Sequence, residues 1–285
     1  MKRVLIVGAG SYIGRRLEGW LGQWPGRYQV GKVSLRQEDW RERMAPWDAV
    51  VQLAGVVHRR EEDTDPALYY RVNRDMAYEA ARLARAGGAA QFIFLSSMSV
   101  YGQVTGRIGP DTPLTPTTHY GKSKLAAEAL LRGLEQSGFQ VAVLRPPMVF
   151  GPGCGGNYPR LARLARHLPC FPRYGGERSM IYVDNLCEAI RLVIDQGGGG
   201  CYFPQDQEYY NVPQLMAWIA EAHGRRMALV PGLGWLAAAL ARRGGTLGKV
   251  LGSLTYDRAL PGAPGAYQLW DNRQAVRLTE GGERA

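Results

Sequence analysis

Val4-Leu5-Ile6-Val7-Gly8-Ala9-Gly10-Ser11-Tyr12-Ile13-Gly14 runs from four consecutive apolar residues into a glycine-rich turn. An uninterrupted apolar run of this length reads as a strand buried on both faces, as in a parallel sheet. The turn opens a predicted helix, and in that setting each small residue has a task. Gly8 permits the sharp strand-to-helix turn. A small residue at Gly10 or Ser11 lets backbone approach a pyrophosphate, and Gly14 lets the helix pack closely on the sheet. The free N–H groups at the helix start offer positive potential to phosphates. The competing reading of the same residues is a plain tight turn.

Working outward, short apolar runs recur at 4–7, 29–35, 49–53, 92–95 and 141–144, with 201–203 a further candidate. Between them apolar residues fall three or four apart, as in Leu68, Val72, Met76, Leu83 and in Leu125, Ala129, Leu130, Leu134. This alternation predicts an α/β chain with a Rossmann-type doubly wound parallel sheet. After Gly151-Pro152-Gly153 the pattern changes. Residues 153–179 are rich in Gly, Pro and Arg; 184–195 reads as a helix, and 213–223 as another stopped by Gly224. The remainder reads as irregular with short helices. The expected organisation is a dinucleotide-binding domain from 1–152 and 180–206, and a smaller α/β substrate-binding lobe from 153–179 and 207–285.

Composition narrows the function. The 285 residues are 46% apolar and 21% charged, which excludes a disordered chain, a collagen-like chain and a long coiled coil. The formal net charge of +10 asks for an anionic partner: nucleic acid, a membrane surface or a phosphorylated small molecule. There is no five-residue Lys/Arg run, no Cys/His finger spacing and no basic stripe interleaved with aromatics, so nucleic acid is not expected. Cys154, Cys170, Cys187 and Cys201 form no C-x-x-C, and no His pair stands at ligand spacing. They read as thiols in a reducing compartment, with no metal. Met1-Lys2-Arg3 passes straight into the first strand without a signal sequence, and no apolar run approaches the roughly 18 residues of a membrane span. The expectation is a cytoplasmic protein. Trp235-Leu236-Ala237-Ala238-Ala239-Leu240, followed by Arg242 and Arg243, reads as a packed helix with a basic end; contact with a membrane surface is the other reading.

Two further motifs carry chemistry. Tyr120-Gly121-Lys122-Ser123-Lys124 enters a predicted helix, so Tyr120 and Lys124 share a face one turn apart. A phenol with a pKa near 10 is a poor base at neutral pH, and a nearby ammonium would favour its phenolate. Leu95-Ser96-Ser97-Met98-Ser99-Val100-Tyr101-Gly102 lies at the carboxyl end of the fourth strand, where ligands sit in open α/β sheets. A hydroxyl there can hold a substrate oxygen beside Tyr120.

With glycine turn, serine strand end and Tyr-x-x-x-Lys helix in this order, the chain resembles an extended short-chain dehydrogenase/reductase of the NAD(P)-dependent sugar-nucleotide epimerase/dehydratase family. Supporting segments are Asp48-Ala49-Val50-Val51-Gln52-Leu53-Ala54-Gly55, Asn73, Leu144-Arg145-Pro146-Pro147-Met148-Val149-Phe150-Gly151-Pro152-Gly153 and Arg178-Ser179-Met180-Ile181-Tyr182-Val183-Asp184-Asn185. The resemblance covers about residues 2–195 and implies a set of roles. Ser97 would be the catalytic hydroxyl, with Ser99 as a substitute that also faces substrate. Tyr120 would be the general base or acid, and Lys124 would bind the nicotinamide ribose and lower the Tyr120 pKa. Gly8, Gly10, Ser11, Tyr12, Ile13, Gly14, Leu53, Ala54, Gly55 and Asn73 would line the cofactor. Asn157 and Arg178 would contact the diphosphate of a nucleotide-diphosphate sugar; a guanidinium fork suits phosphate. The resemblance also implies a homodimer through the long helices around 66–86 and 117–137.

Two departures matter. Ser11 replaces the usual middle glycine, with Gly10 one position earlier. At the end of the second strand no acid stands where NAD ribose hydroxyls are normally bound. Glu38 and Asp39 come late, and Ser34 and Arg36 tolerate a 2′-phosphate, which leans the cofactor from NAD toward NADP. The expected activity is C4 epimerisation of a sugar nucleotide by transient oxidation, with NADPH-dependent 4-keto reduction as the alternative. A 4,6-dehydratase would carry acids after Ser97, where Met98 and Ser99 stand. A non-catalytic dinucleotide-sensing protein is the reading from another class, and it has no need of a base.

Overall fold

The computed structural model describes residues 1–57, 61–234 and 252–281. The segment 235–243, expected to form a helix with a basic end, lies outside them. The strands in chain order are β1 (Lys2–Val7), β2 (Tyr28–Val33), β3 (Ala49–Gln52), β4 (Gln91–Leu95), β5 (Gly106–Ile108), β6 (Gln140–Leu144), β7 (Met148–Phe150), β8 (Cys170–Pro172), β9 (Glu177–Arg178), β10 (Met180–Tyr182), β11 (Gly200–Tyr202), β12 (Tyr210–Asn211), β13 (Ala228–Val230) and β14 (Leu254–Tyr256). The helices are α1 (Tyr12–Leu21), α2 (Pro66–Tyr70), α3 (Met76–Ala86), α4 (His119–Arg132), α5 (Tyr158–His167), α6 (Val183–Gln196), α7 (Val212–Ala222) and α8 (Asn272–Gly281).

The six apolar runs each supply one strand of a parallel sheet in the order β2-β1-β3-β4-β6-β11. Successive side chains on a strand point to opposite faces, and both faces are covered. Val4, Ile6, Val51 and Ile93 pack with Leu17 of α1 and Leu186 and Ile190 of α6. Leu5, Val7, Val50, Phe92 and Phe94 pack with Ala77 and Ala81 of α3 and Ala127 and Leu131 of α4. That two-sided burial is why the runs are apolar without alternation; each fully buried Val, Leu, Ile or Phe contributes about 1.5–3 kcal/mol. The chain leaves β1 for β2 on one side and returns to β3 on the other. A crevice therefore opens at the carboxyl ends of β1 and β3, the place where such sheets bind ligands.

A second sheet has the order β12-β9-β14-β5, and the pairs β7–β10 and β8–β13 complete the strand set. Gly106–Ile108, from the first half of the chain, belongs to this second sheet through Thr255↔Arg107. Val100, Tyr101, Ile108, Phe203, Leu254 and Tyr256 form the apolar cluster beneath it. The stretch 153–179, which the sequence shows only as rich in Gly, Pro and Arg, contains α5, β8 and β9. Strands of two or three residues have no periodicity to read; they exist through pairing with distant residues. The predicted helix over 66–86 is interrupted, since Arg71–Asp75 forms a π-helical turn between α2 and α3. Among the described residues no helix is long and apolar enough to cross a membrane.

Candidate active site

The glycine turn follows β1. Gly8 has φ +96°, and a Cβ there would stand 2.5 Å from the Ala54 nitrogen, so the turn is pressed against the residues after β3. Ser11 caps α1, its hydroxyl accepting from Gly14 N at 3.0 Å. A Cβ on Gly14 would meet Gly8 O at 2.5 Å, which fixes the helix on the turn. At Gly10 a Cβ would meet nothing within 4 Å, so that side of the turn is open. An open backbone face at a helix start, walled by Ala54, fits the pyrophosphate of NAD or NADP. Ile13 packs into the core beneath; the Tyr12 hydroxyl is buried beside Gly151 with no hydrogen-bond partner among the described residues.

At the end of β4, Ser96 N donates to Leu144 O at 2.7 Å and Met98 N to Pro146 O at 3.0 Å, which pins the serine stretch to the segment after β6. Helix α4 starts at the Thr118 cap, whose hydroxyl accepts from Gly121 N. A Cβ on Gly121 would lie 2.6 Å from Ser99 O. Only glycine lets the helix start come this close, and the approach brings Tyr120 to Ser97. Ser97 Oγ donates to Ser99 Oγ at 3.1 Å, and Ser97 favours the ionised form of the Tyr120 phenol.

The electrostatics of the pair follow from its burial. Lys124, buried at 3% exposure, donates from Nζ to Leu95 O at 2.8 Å and stands 4.5 Å over the Phe94 ring. Burial lowers its pKa to about 8, partly opposed by Glu128. Tyr120 is pushed up to about 12 by burial, although part of its side chain reaches the cleft; the Ser97 hydrogen bond works downward. The sequence assigns the lowering to the ammonium one turn away. In the fold that ammonium also donates to the strand end, and Ser97 works on Tyr120 in the same downward direction. A Cβ on Gly55 would lie 3.5 Å from Lys124 Nζ, so the amine borders the crevice at the end of β3.

Asn73, expected to line the cofactor, is fully buried, and its amide is used by protein. Oδ1 accepts from Val56 N at 2.7 Å; Nδ2 donates to Val56 O at 3.3 Å and to Ser123 Oγ at 3.0 Å. It joins the segment after β3 to the base helix, and it does so from the π-helical turn. Leu53 N and Ala54 N both donate to Val7 O, which aligns that segment beside the glycine turn.

Sequence reasoning missed the support behind the serines. Glu128, 1% exposed, accepts from Ser96 Oγ and from Arg145 Nε and Nη2, and Arg145 Nη1 donates to Tyr101 OH at 2.9 Å. Glu128 stands one turn beyond Lys124, so the spacing placed it on the same face; nothing local named Arg145 as its partner. Glu61 was missed too, and it accepts from Tyr120 N at 3.3 Å.

At the end of β2, Val33 O accepts from Gly8 N at 2.8 Å, so Ser34 follows directly beside the turn. Its backbone N donates to Gln37, and Arg36 is exposed without an ion pair among the described residues. Asn157 precedes α5 with its side chain not used in capping. Arg178 lies on β9, buried, with Nη1 donating to Gly252 O at 2.5 Å and Nε unpartnered. Burial lowers its pKa to about 10, slightly opposed by Tyr174. An incompletely satisfied buried guanidinium is suited to an anion. The structure thus gathers Ser97, Ser99, Tyr120 and Lys124 at one strand end, and the glycine turn with Leu53, Ala54 and Gly55 at the adjacent crevice. Asn157 stands before α5, and Arg178 on β9 pairs with Leu254 of β14.

A sequence model of the NAD dependent epimerase/dehydratase family matches residues 4–203. The chain is similar to the N-acetyl-alpha-D-glucosaminyl-diphospho-ditrans,octacis-undecaprenol 4-epimerase of Escherichia coli O157:H7, 28% identical over 245 residues that span 79% of this chain and 73% of the relative. It is also similar to the GDP-6-deoxy-D-mannose reductase of Pseudomonas aeruginosa, 27% identical over 248 residues, spanning 77% of this chain and 81% of the relative. Among solved structures, UDP-glucuronic acid 4-epimerase from Bacillus cereus in complex with NAD matches with a TM-score of 0.72 at 16% identity, covering 98% of this chain and 97% of that one. RMD from Pseudomonas aeruginosa complexed with NADPH matches with a TM-score of 0.71 at 20% identity over the same shares. These two structural likenesses speak to the fold.

Proposed function

Because the chain belongs to the NAD dependent epimerase/dehydratase family, we propose that it is a sugar-nucleotide 4-epimerase acting by transient oxidation at C4. It is an NAD(P)-dependent enzyme of the extended short-chain dehydrogenase type. The observation that carries the reading is the start of α4 pressed against the serine stretch beyond β4, which gathers Ser97, Ser99 and Tyr120, with Lys124 Nζ bonded to Leu95 O.

NAD or NADP held on the glycine turn supplies the acceptor and donor of hydride. Ser97 holds the sugar 4-hydroxyl oxygen by a hydrogen bond, and Tyr120 takes its proton as C4 becomes a ketone. After the sugar presents its other face, Tyr120 returns the proton to the C4 oxygen. Lys124 positions the ribose next to Gly55. Arg178 and Asn157 hold the diphosphate, so that the fixed end of the substrate orients the reacting end. Ser34 and Arg36 favour NADP by accepting a 2′-phosphate. Met98 and Ser99, in place of carboxylates, disfavour elimination of water.

A second reading is NADPH-dependent reduction of a 4-keto sugar nucleotide, favoured by the exposed unpaired Arg36 and by the likeness to a reductase over 77% of the chain. Incubation of the purified protein with UDP-sugars and no added cofactor separates the two. Interconversion of C4 isomers supports the epimerase. NADPH consumption only with a 4-keto sugar replaces it with the reductase, and inactivity in both assays removes both.

A further inference from the structure

The 25 residues 152–176 contain Arg160, Arg163, Arg166, His167 and Arg173 and no aspartate or glutamate. Helix α5 turns that composition into a surface. At about 100° per residue, Tyr158, Leu161, Ala162 and Ala165 form the inward stripe and are buried. Arg160, Arg163, Leu164, Arg166 and His167 form the outward stripe, and all five are exposed. The ladder of β8 with β13 extends this face, because Ala228 pairs with Cys170 and Ala228 N donates to Pro169 O just past the helix end. Exposed Arg225 and Arg226 lead into β13, and exposed Arg173 follows β8 with its N–H on Val230 O.

Among the described residues, Arg163, Arg166, Arg173, Arg225 and Arg226 take part in no salt bridge. The acids on the neighbouring helices are engaged elsewhere: Glu221 of α7 with Arg273, and Glu280 of α8 with His223. Other exposed helices mix both signs, as α3 does with Glu79, Arg82 and Arg85.

We propose that the outward face of α5, continued by Arg173, Arg225 and Arg226, docks the protein on the anionic headgroup surface of a membrane. A convex array of long cationic side chains suits a sheet of charge better than a single small anion. Leu164 sits within the array, the position of an apolar side chain that enters a headgroup layer while flanking arginines keep their charges in water. The outward stripe has no Phe, Tyr or Trp on which bases could stack, which sets nucleic acid below a lipid surface. Asn157, next to the diphosphate in the function proposed above, immediately precedes this helix, so docking would bring the substrate-binding lobe toward the lipid.

The test is co-sedimentation of the full chain with phosphatidylcholine vesicles and with vesicles that also contain phosphatidylglycerol, at low and raised salt. Selective binding to the phosphatidylglycerol vesicles, weakened by salt, is expected. The double variant Arg163→Glu/Arg166→Glu should bind them at least about tenfold more weakly, with turnover of soluble substrate unchanged. A second pair on a different element, Arg173→Glu/Arg225→Glu, should weaken binding in the same direction, so a folding defect in one pair leaves the other to decide. No binding to anionic vesicles, equal binding to neutral ones, unaltered binding by both folded variants, or tighter retention by RNA or duplex DNA overturns the proposal. Vesicle binding needs no substrate, so this outcome is independent of whether the protein epimerises sugars.

Discussion

Lys124 Nζ donates to the Leu95 carbonyl oxygen at 2.8 Å, tying the base-bearing helix to the end of the strand that carries Ser97. The ammonium is thereby a positional group as well as a charge. Tyr120, on the same helix, is left with Ser97 as the partner that favours its ionised form.

Tyr120→Phe removes the oxygen that the proposed mechanism uses to exchange a proton with the substrate. Turnover should fall by about 10²–10⁴-fold, with cofactor affinity within about twofold of the parent. Steady-state assay with a cofactor titration by protein fluorescence checks both. A variant that binds cofactor and turns over normally would remove Tyr120 from the mechanism, while a parent protein without turnover would favour the sensor.

Ser97→Ala acts on pH. As a hydrogen-bond donor to the phenolate, Ser97 lowers the Tyr120 pKa against the upward push of burial. Without that donor the phenolate is less stable, the Tyr120 pKa rises, and less base is present at any given pH below it. The rate of substrate oxidation against pH should therefore rise at higher pH than in the parent, on top of a lower plateau. A profile displaced toward acid contradicts this account.

Gly121→Ala places a Cβ 2.6 Å from Ser99 O. The backbone carbonyl cannot yield as a flexible side chain would, so the start of α4 must move away from residues 97–99. A misplacement of this size is expected to reduce kcat by about 10²-fold and to leave binding at the glycine turn unaltered. Equal losses in kcat and cofactor affinity would mean that the helix is not displaced independently.

Arg36→Glu reverses the exposed charge after β2. The KM for NADP should rise by at least about tenfold, on the order of 1.4 kcal/mol, while the KM for NAD changes little. Parallel titrations with the two cofactors decide it, and unchanged discrimination sinks the lean toward NADP.

Glu128→Ala leaves Arg145 buried beside Tyr101 without its carboxylate. Breaking a buried pair from one side costs about 3–5 kcal/mol. The thermal midpoint should fall by several degrees or more, with Glu128→Gln in between because its amide oxygen can still accept. A midpoint unchanged in both would show that water replaces the carboxylate.

The amino-acid sequence by itself determined the six parallel strands, the glycine turn and the Tyr120 and Lys124 positions on one helix face. Those features leave a local mark in the sequence: Val4 to Val7 form an unbroken apolar run, and the turn at Gly8, with φ +96°, takes glycine. Glu128 was on the page as one turn beyond Lys124, without a partner. Only the tertiary structure decided that Arg145 meets it, that Lys124 bonds the Leu95 carbonyl, and that Asn73 bonds Val56 and Ser123. The strands β5, β9, β12 and β14 were likewise invisible, since segments of two or three residues are ordered by partners from distant parts of the chain. Periodicity and turn chemistry record what a residue needs from its neighbours in sequence. Which side chain shares a proton or a charge with another is set by how the layers pack.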